Sequence, residues 1–328
     1  MSLNLADILE MACAARPGSE ALVYEDTRMT FAQLAKAARR VAWALHERGI
    51  GPGDKVAMLL PNTPHFPIIL YGILYTGATA VPMNILLHWR EIQHQLNDAD
   101  VKAVFAFKLL QEQVRQAFSA SEKCKHLFVV EPAMTPSQPE SGESFLAMMM
   151  SAEPKFEPYR TSPDDTAEII FTSAYGGKPL GTELTHFNLF QNALISQAFV
   201  QKYTPDDTCL CVLPLFHSFG QTAMLNAPLL GMSRTILMSR FETHKVFDVI
   251  AREKVTLLGL VPSMAHFMIT YKPGETFDLS SIRALDVGGA ALSMDIYNAF
   301  RERFSITLLQ GYGQTEAPAS ITFLSPAE

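Results

Sequence analysis

A glycine-rich segment after a strand-like run is the first place where this sequence could do chemistry. Residues 171–181 read Phe-Thr-Ser-Ala-Tyr-Gly-Gly-Lys-Pro-Leu-Gly and precede a helix-like stretch that begins near His186. Glycines let backbone N–H groups approach oxygen atoms that a Cβ would keep away, and a helix N-terminus attracts anions. The segment therefore predicts a phosphate-binding loop between a strand and a helix, with an ordinary surface turn as the alternative.

The best-known phosphate-loop pattern does not apply here, but other motifs accompany the segment. The spacing from Gly176 to Gly181 imitates a P-loop, yet Thr182 stands where its lysine belongs, so the segment is not a Walker A motif. Three further motifs follow in the chain: Leu-Pro-Leu-Phe-His-Ser-Phe-Gly at 213–220, Asp-Val-Gly-Gly-Ala-Ala-Leu at 286–292, and Gly-Tyr-Gly-Gln-Thr-Glu at 311–316. Four such motifs in one order are hard to obtain by chance.

Together the motifs resemble the adenylate-forming superfamily: acyl-CoA synthetases, adenylation domains of peptide synthetases, and luciferases. Residues 51–56 and 75–84 are also similar to motifs of that family, so the resemblance covers nearly the whole chain. The Leu-Pro-Leu-Phe-His run, with Val-Pro-Ser at 261–263, looks most similar to fatty-acyl and aryl CoA ligases. The resemblance implies ATP-dependent activation of a carboxylic acid, with a fatty acid expected, followed by transfer to coenzyme A. ATP, Mg²⁺ and coenzyme A are the ligands it implies.

The resemblance also implies roles for individual residues. Thr315 would bond the α-phosphate, Glu316 would coordinate Mg²⁺, and Tyr312 would lie against the adenine ring, with Thr315 and Glu316 as catalytic residues. A helix cap, a solvated charge and core packing are the respective alternatives. The other nucleotide-binding residues implied are Thr172, Ser173, Gly176, Gly177, Gly181, Gly288, Gly289, Ala290, Gly311, Gly313 and Gln314.

The acyl side of the site is implied by the motif at 213–220. By resemblance, Phe216, His217 and Gly220 line the acyl pocket together with Gly289, and His217 contacts the carboxylate region. A histidine packed in the core beside aromatic rings is the alternative for His217. A serine hydrolase is not expected, because no Gly-x-Ser-x-Gly elbow occurs in the sequence.

Two departures from the family pattern leave a second class of function open. The family's phosphate loop reads Thr-Ser-Gly-Thr-Thr-Gly-x-Pro-Lys-Gly, whereas Ala174 replaces a glycine, Tyr175 and Gly176 replace the two threonines, and Leu180 replaces the lysine. Lys178 is then the nearby cation that could reach the phosphates as a catalytic residue. The family's small mobile domain is expected to be absent, in a fragment or a naturally short relative. A non-catalytic acyl- or nucleotide-binding relative is therefore the alternative to an enzyme.

Composition limits the class of protein. The 328 residues are 48% hydrophobic and 18% charged, which is typical of a globular chain with one or two cores. With 26 basic against 33 acidic residues and no basic cluster, a nucleic-acid partner is not expected. Four cysteines without metal-type spacing indicate a reducing, cytoplasmic location. The longest apolar stretch, 66–79, is interrupted by Pro67 and is too short to span a bilayer.

Short apolar runs alternate with longer helical patterns along most of the chain. This alternation predicts an α/β fold of two lobes, each a mostly parallel sheet flanked by helices. We expect the first lobe at 1–165, including polar linker stretches at 131–143 and 153–165, and the second at 166–328. All four motifs follow predicted strands, and ligands of open α/β sheets bind beyond the carboxyl ends of strands. The motifs are therefore expected to converge on one cleft.

Overall fold

The computed structural model describes residues 2–132, 139, 141–172, 179–272, 274 and 276–324. The strands, in chain order, are β1 Glu20–Tyr24, β2 Thr27–Thr30, β3 Lys55–Leu59, β4 Thr79–Pro82, β5 Val101–Phe107, β6 His126–Val130, β7 Glu143–Ser144, β8 Thr166–Thr172, β9 Leu180–Thr185, β10 Thr208–Cys211, β11 Arg234–Leu237, β12 Leu257–Leu260, β13 Ala284–Val287, β14 Leu308–Gln314 and β15 Ala317–Phe323.

The α-helices are interrupted or extended by short turns of other types. They are α1 Asp7–Ala15, α2 Phe31–His46, α3 His65–Tyr75, α4 Trp89–Asp98, α5 Gln111–Ser119, α6 Phe145–Ser151, α7 His186–Ile195, α8 Ser218–Gln221, α9 Ala227–Leu230, α10 Thr243–Glu253, α11 Pro262–Thr270 and α12 Met294–Phe304. A 3₁₀ turn spans Lys108–Leu110, and π-helical turns span Ser196–Val200 and Thr222–Asn226.

The chain forms two compact units, each built on its own sheet. Unit 1 contains Met1–Glu10 and Ala32–Phe187, and unit 2 contains Met11–Phe31 and Asn188–Glu328. The strand order is β7-β6-β5-β3-β4-β8-β9 in unit 1 and β15-β14-β13-β12-β10-β11-β1-β2 in unit 2. Neighbouring strands are parallel except in the pairs β8/β9, β1/β2 and β14/β15. The predicted α/β fold of two mostly parallel sheets with flanking helices is confirmed.

Apolar strands form the centre of both units. In unit 1, β4 is buried along its whole length and β5 is buried except at Lys102, as strands covered on both faces should be. In unit 2, residues of β10, β12 and β13 pack against α10, α11 and α12, where Phe247 and Phe300 are among the buried side chains. The helices supply apolar stripes at helical spacing, so each unit has its own core.

One carboxylate ties together the amino ends of three strands in unit 2. Asp207 accepts hydrogen bonds at 2.8 and 3.0 Å from the guanidinium of Arg283, which precedes β13. It also accepts one at 2.7 Å from the hydroxyl of Thr256, which precedes β12, and one at 2.9 Å from the backbone N–H of Thr204. Asp207 itself precedes β10, so this buried side chain sets the relative start of β10, β12 and β13.

Two strands differ from the sequence prediction. A helix near His186 was expected to follow the glycine-rich segment directly, but β9 lies between them and pairs antiparallel with β8, with Thr172 opposite Leu180. Residues 311–316 were expected beyond a strand end, but β14 continues to Gln314 and β15 returns beside it. Both additional strands lie at sheet edges, where side chains face solvent and the apolar pattern is weak.

The compact units do not follow the predicted division between residues 165 and 166. Strand β8 pairs in parallel with β4, which places 166–185 in the sheet of unit 1. Strand β1 pairs in parallel with β11, which places the N-terminal hairpin in unit 2. Part of the stretch predicted as a linker also belongs to unit 1, since the N–H of Tyr159 donates to the carbonyl of Tyr75 at 2.7 Å. These pairings join distant parts of the chain and cannot be deduced from composition.

The network around Asp207 predicts a loss of stability that depends on pH. Replacing Asp207 with Ala leaves Arg283 without its partner, and we expect the free energy of unfolding to fall by roughly 2–3 kcal/mol at neutral pH. Burial raises the pKa of Asp207, but the bonds from Arg283 and Thr256 outweigh burial and hold it below its ordinary value of 3.8. The stabilisation by the ionised Asp207 is therefore fully present above pH 3.8. It is lost as the pH falls through the lower pKa of Asp207 in the folded state.

Urea unfolding at several pH values would measure this effect. Asp206→Ala is the control, because the same substitution removes the neighbouring, exposed carboxylate. Equal losses for the two variants at neutral pH, or a difference that does not shrink in acid, would contradict the assigned role of Asp207.

Candidate active site

A cavity opens at the carboxyl end of the sheet in unit 2. Its volume is about 380 Å³, and the segments around it follow β10, β12 and β13 or belong to α8, β14 and β15. It is lined by Leu213, Pro214, His217, Ser218, Phe219, Gly220, Val261, Gly288, Gly289, Gly311, Gly313, Gln314, Thr315, Ala319, Ser320 and Phe323. Three of the four motifs identified in the sequence therefore contribute to one cavity.

The first wall is the turn from β10 into α8. The N–H of His217 donates to the carbonyl of Pro214 at 3.1 Å, and the N–H of Gln221 donates to the carbonyl of His217 at 3.0 Å, which starts the helix. A Cβ at Gly220 would overlap the carbonyl oxygen of Pro214, so only glycine allows this close return. The turn is fixed by backbone contacts, which leaves its side chains free to face the cavity.

His217 is a polar group on an otherwise largely apolar wall. Its ring lies 4.8 Å from that of Phe216, measured between centroids, and its edge is exposed to the cavity. Partial burial lowers its pKa below the ordinary value of 6.5, so the neutral form of the imidazole predominates at pH 7. A neutral imidazole can donate one hydrogen bond and accept another, which suits it to orient a carboxylate or phosphate oxygen.

The second wall is the end of β13. Gly289 has φ = +78°, a conformation that a side chain would strain. A Cβ on Gly288 would lie 3.1 Å from the ring of Phe219 and 3.4 Å from the carbonyl oxygen of Gly311. Both glycines line the cavity and carry no side chain, so a flat ligand can approach their backbone closely.

The third wall is the hairpin of β14 and β15. Gly311 pairs with Phe323, and a Cβ on Gly311 would lie 2.6 Å from that ring. A Cβ on Gly313 would overlap the carbonyl oxygen of Ala319, whose own φ is +73°. The turn between the strands is formed by Thr315, which is half-buried, and Glu316, which is exposed. The two glycines thus let the hairpin close and bring Thr315 to the cavity.

Most of the residues predicted for unit 2 line the cavity, and the others adjoin those that do. His217, Gly220, Gly288, Gly289, Gly311, Gly313, Gln314 and Thr315 line it. Phe216, Ala290, Tyr312 and Glu316 are their chain neighbours, and Tyr312 is 61% exposed, so core packing is not its role. The functional roles of these residues stay predictions.

The remaining predicted residues belong to unit 1 or lie outside the described residues. Thr172 ends β8 and Gly181 lies on β9 opposite Phe171. Ser173, Gly176, Gly177 and Lys178 lie outside the described residues, as do Ala174 and Tyr175. Strand β9 lies between the glycine-rich segment and α7, so the prediction that a helix starts directly after this segment is wrong.

Glu316 is the side chain that suits the predicted Mg²⁺ ion. Its carboxylate is exposed on the turn next to Thr315, and Mg²⁺ in nucleotide sites is held by one or two carboxylates together with phosphates and water. Among the described residues, no group of three His, Cys, Asp or Glu side chains is arranged to hold a metal alone. The single carboxylate of Glu316 is therefore compatible with a Mg²⁺ ion that arrives bound to a triphosphate. Its role as a Mg²⁺ ligand remains a prediction.

Sequence reasoning gave no role to Asp286, the first residue of the third motif. It lies inside β13, is 1% exposed, and accepts a hydrogen bond from the side-chain amide of Gln201. Its other carboxylate oxygen has no partner among the described residues. Burial raises the pKa of this carboxyl to about 7. The available signal was an acidic residue within an apolar run, Ala-Leu-Asp-Val, that ends at the glycines of the cavity.

The part of the chain that the structure describes contains no helix with the length and apolar character needed to cross a membrane.

Comparison with known proteins identifies the family of this chain. The profile of the AMP-binding enzyme family matches residues 9–328. The chain belongs to this family. Among curated relatives, 4-coumarate–CoA ligase 2 of Oryza sativa subsp. japonica is 32% identical over 302 residues, which cover 88% of this chain and 52% of the relative. A long-chain-fatty-acid–CoA ligase of Bacillus subtilis (strain 168) is 26% identical over 347 residues, which cover 96% of this chain and 60% of the relative.

A solved structure shows the same fold. The crystal structure of the anthranilate CoA ligase AuaEII in complex with anthranoyl-AMP superposes with a TM-score of 0.95 at 23% identity, covering 100% of this chain and 63% of that chain. At this identity the likeness concerns the fold. The chain spans about half the length of the curated relatives that it matches.

The hairpin predicts that Gly313 tolerates no side chain. In Gly313→Ala, the new methyl group would collide with the Ala319 carbonyl, so we expect the hairpin to open and the melting temperature to fall by several degrees, corresponding to about 2 kcal/mol or more. Differential scanning calorimetry measures this. Gly18→Ala is the control, because a Cβ at Gly18 meets nothing within 4 Å. A Gly313→Ala protein as stable as Gly18→Ala would contradict the described hairpin.

Asp286 predicts a second pH dependence, opposite in sign to that of Asp207. The unfolded chain loses this proton near the ordinary pKa of 3.8 and the folded chain near 7, so the folded state binds more protons between these values. Its contribution to stability therefore falls as the pH rises from about 4 to about 7. Asp286→Asn removes this dependence, so the difference in unfolding free energy between the variant and the parent should grow in the variant's favour across that range.

Unfolding titrations of the parent, Asp286→Asn and the exposed control Asp295→Asn measure this difference. A difference that stays constant with pH for Asp286→Asn would show that this carboxyl group titrates at its ordinary pKa.

Proposed function

We propose that this chain carries the nucleotide and acyl sites of an ATP-dependent ligase that joins a carboxylic acid to coenzyme A. The single observation that supports this most strongly is the convergence of three motifs on one cavity in unit 2. Membership of the AMP-binding enzyme family supports a nucleotide as one ligand, and the CoA ligases among its relatives support the second reactant.

The proposed reaction has two steps. In the first, an oxygen of the substrate carboxylate attacks the α-phosphorus of ATP, the bond to the β-phosphate oxygen breaks, and pyrophosphate leaves with acyl-AMP remaining. In the second, the thiolate of coenzyme A attacks the acyl carbon and AMP leaves with the electron pair of the broken C–O bond. Two anions meet in the first step, so catalysis requires fixed donors and positioning more than a protein nucleophile.

The described residues can supply these functions in unit 2. The Thr315 hydroxyl can donate to the α-phosphate, and the neutral imidazole of His217 can donate to the incoming carboxylate. Gly288 and Gly289 leave a bare backbone wall against which adenine can lie, with Tyr312 beside it. Glu316 would hold Mg²⁺, which when bound neutralises phosphate charge during the first step.

The acid is proposed to have an apolar body. Leu213, Phe219, Val261 and Phe323 contribute apolar surface to the cavity, next to His217. A fatty acid, predicted from the sequence, and an aromatic acid both suit this wall. The relatives named above include one ligase of each kind. ATP–pyrophosphate exchange with octanoate, palmitate, 4-coumarate and benzoate would decide between them, because exchange requires the correct acid in the pocket.

Thr315 provides the direct test of the nucleotide site. In Thr315→Val the hydroxyl donor is lost while the side-chain shape is kept. We expect AMP to bind roughly ten- to a hundredfold more weakly, since a hydrogen bond to a charged group contributes about 1.5–3 kcal/mol. Isothermal titration calorimetry of AMP measures this. Thr322→Val is the matched control, because Thr322 is exposed on the same hairpin. Unchanged AMP affinity in Thr315→Val, or absence of AMP binding by the parent, would contradict the proposal.

A non-catalytic relative of the same fold is the second candidate, and the altered glycine-rich loop favours it. Leu180, where the family has lysine, is 65% exposed on β9, so a lysine can be accommodated there. Restoring the family pattern with Ala174→Gly, Tyr175→Thr, Gly176→Thr and Leu180→Lys should create exchange activity in a binder and change it little in an active enzyme. Exchange in the parent excludes the second candidate.

A further inference from the structure

A buried chain of hydrogen bonds lies behind the cavity in unit 2. The hydroxyl of Ser196 donates to the side-chain oxygen of Gln201 at 2.6 Å, and the amide of Gln201 donates to a carboxylate oxygen of Asp286. Each of these three residues is 1% exposed. Burying polar side chains costs free energy that apolar side chains of the same size would not cost. Three of them linked by hydrogen bonds therefore indicate a requirement beyond packing.

The chain connects a helical segment to one wall of the cavity. Ser196 opens the π-helical turn that continues α7, and the backbone N–H of Gln201 closes that turn on the carbonyl of Ser196 at 2.9 Å. Asp286 lies in β13, two residues before Gly288. The π-helical turn therefore sets where the Gln201 amide meets the strand, and single π turns are rare features that often accompany functional sites.

The same helical segment reaches a second wall from its other end. The side-chain amide of Asn192, on α7, donates to the carbonyl oxygen of Ser320 at 3.0 Å. Ser320 belongs to β15 and lines the cavity. Residues 192–201 thus make one polar contact with β15 and another with β13, from side chains that lie at the two ends of this segment.

We propose that residues 192–201 form a brace that holds β13 and β15 at the spacing needed to bind a ligand, with Asn192, Gln201 and Asp286 as positioning residues. The inference rests on the proposed function for the identity of the ligand, an adenine nucleotide. The brace itself concerns the protein alone. Hydrogen bonds have preferred directions, which apolar contacts lack, so they fix the position of a strand end to a few tenths of an ångström.

The test compares two polar side chains on the same helix. Asn192→Ala removes the contact with Ser320. Gln197→Ala is the matched control, because the Gln197 amide donates to the carbonyl of Tyr203, at 2.9 Å, and Tyr203 does not line the cavity. We expect AMP affinity, measured by calorimetry, to fall about fivefold in Asn192→Ala and to stay within twofold in Gln197→Ala, at similar melting temperatures. Equal AMP affinities in the two variants would overturn the brace.

A second pair of variants separates positioning from stability at the other end. Gln201→Met removes the amide but keeps the length of the side chain, and we expect both melting temperature and AMP affinity to fall. Gln201→Met combined with Asp286→Leu and Ser196→Ala removes all three polar groups of the buried chain, so stability should recover while AMP affinity stays about fivefold weaker. Recovery of both the melting temperature and the AMP affinity would show that Gln201 and Asp286 act only on stability. Asp286→Asn keeps an acceptor for Gln201 and should retain most of the affinity.

Hydrogen exchange followed by mass spectrometry tests the brace without any ligand. We expect backbone amides within 285–292 and 308–324 to exchange faster in Asn192→Ala and Gln201→Met than in the parent and in Gln197→Ala. If the parent binds no AMP, the proposed function fails while the exchange result still decides the brace. If the parent binds AMP but exchange in these segments is unchanged in both variants, the brace fails and the proposed function stands.

Discussion

At the carboxyl end of the sheet in unit 2, several backbone segments approach so closely that a β-carbon has no room. Gly220 returns against the carbonyl of Pro214, Gly288 lies under the ring of Phe219, and Gly313 lies over the carbonyl of Ala319. This steric constraint creates the cavity, because each glycine lets one wall reach the next. The predicted site residues depend on it: Thr315 reaches the cavity only if the hairpin of β14 and β15 closes.

This constraint explains how much of the site was visible in the sequence. Glycines at strand ends, next to His217 and Thr315, have a recognisable spacing, and the rule that ligands bind beyond strand ends predicts that they meet. The buried strands and the helix Phe31–His46 were equally visible, since their apolar residues recur at periods that depend on local geometry. The parts that local patterns determine were therefore predictable.

The parts that were missed depend on long-range pairing. Half of the residues of β9 are exposed and β15 contains Pro318, so neither shows the alternation expected of a strand. Each forms because a neighbouring strand offers backbone groups for pairing. The division into units depends on β1 pairing with β11 and β4 pairing with β8, across about 210 and about 90 residues. The π-helical turns have no periodic signature, so the contact between Gln201 and Asp286 could not be anticipated.

The cavity walls that contain glycines must be held in place by other parts of unit 2. A wall without side chains cannot interlock with its neighbours, so its position has to be set by the elements behind it. The network at Asp207 fixes the amino ends of β10, β12 and β13, and the apolar core fixes their middles. At the carboxyl ends, the helical segment 192–201 adds two polar contacts, from Gln201 to Asp286 on β13 and from Asn192 to Ser320 on β15. A buried carboxyl group that costs stability is tolerated at that place because its hydrogen bond with Gln201 adds a directional contact next to glycines that have no side chain of their own to pack.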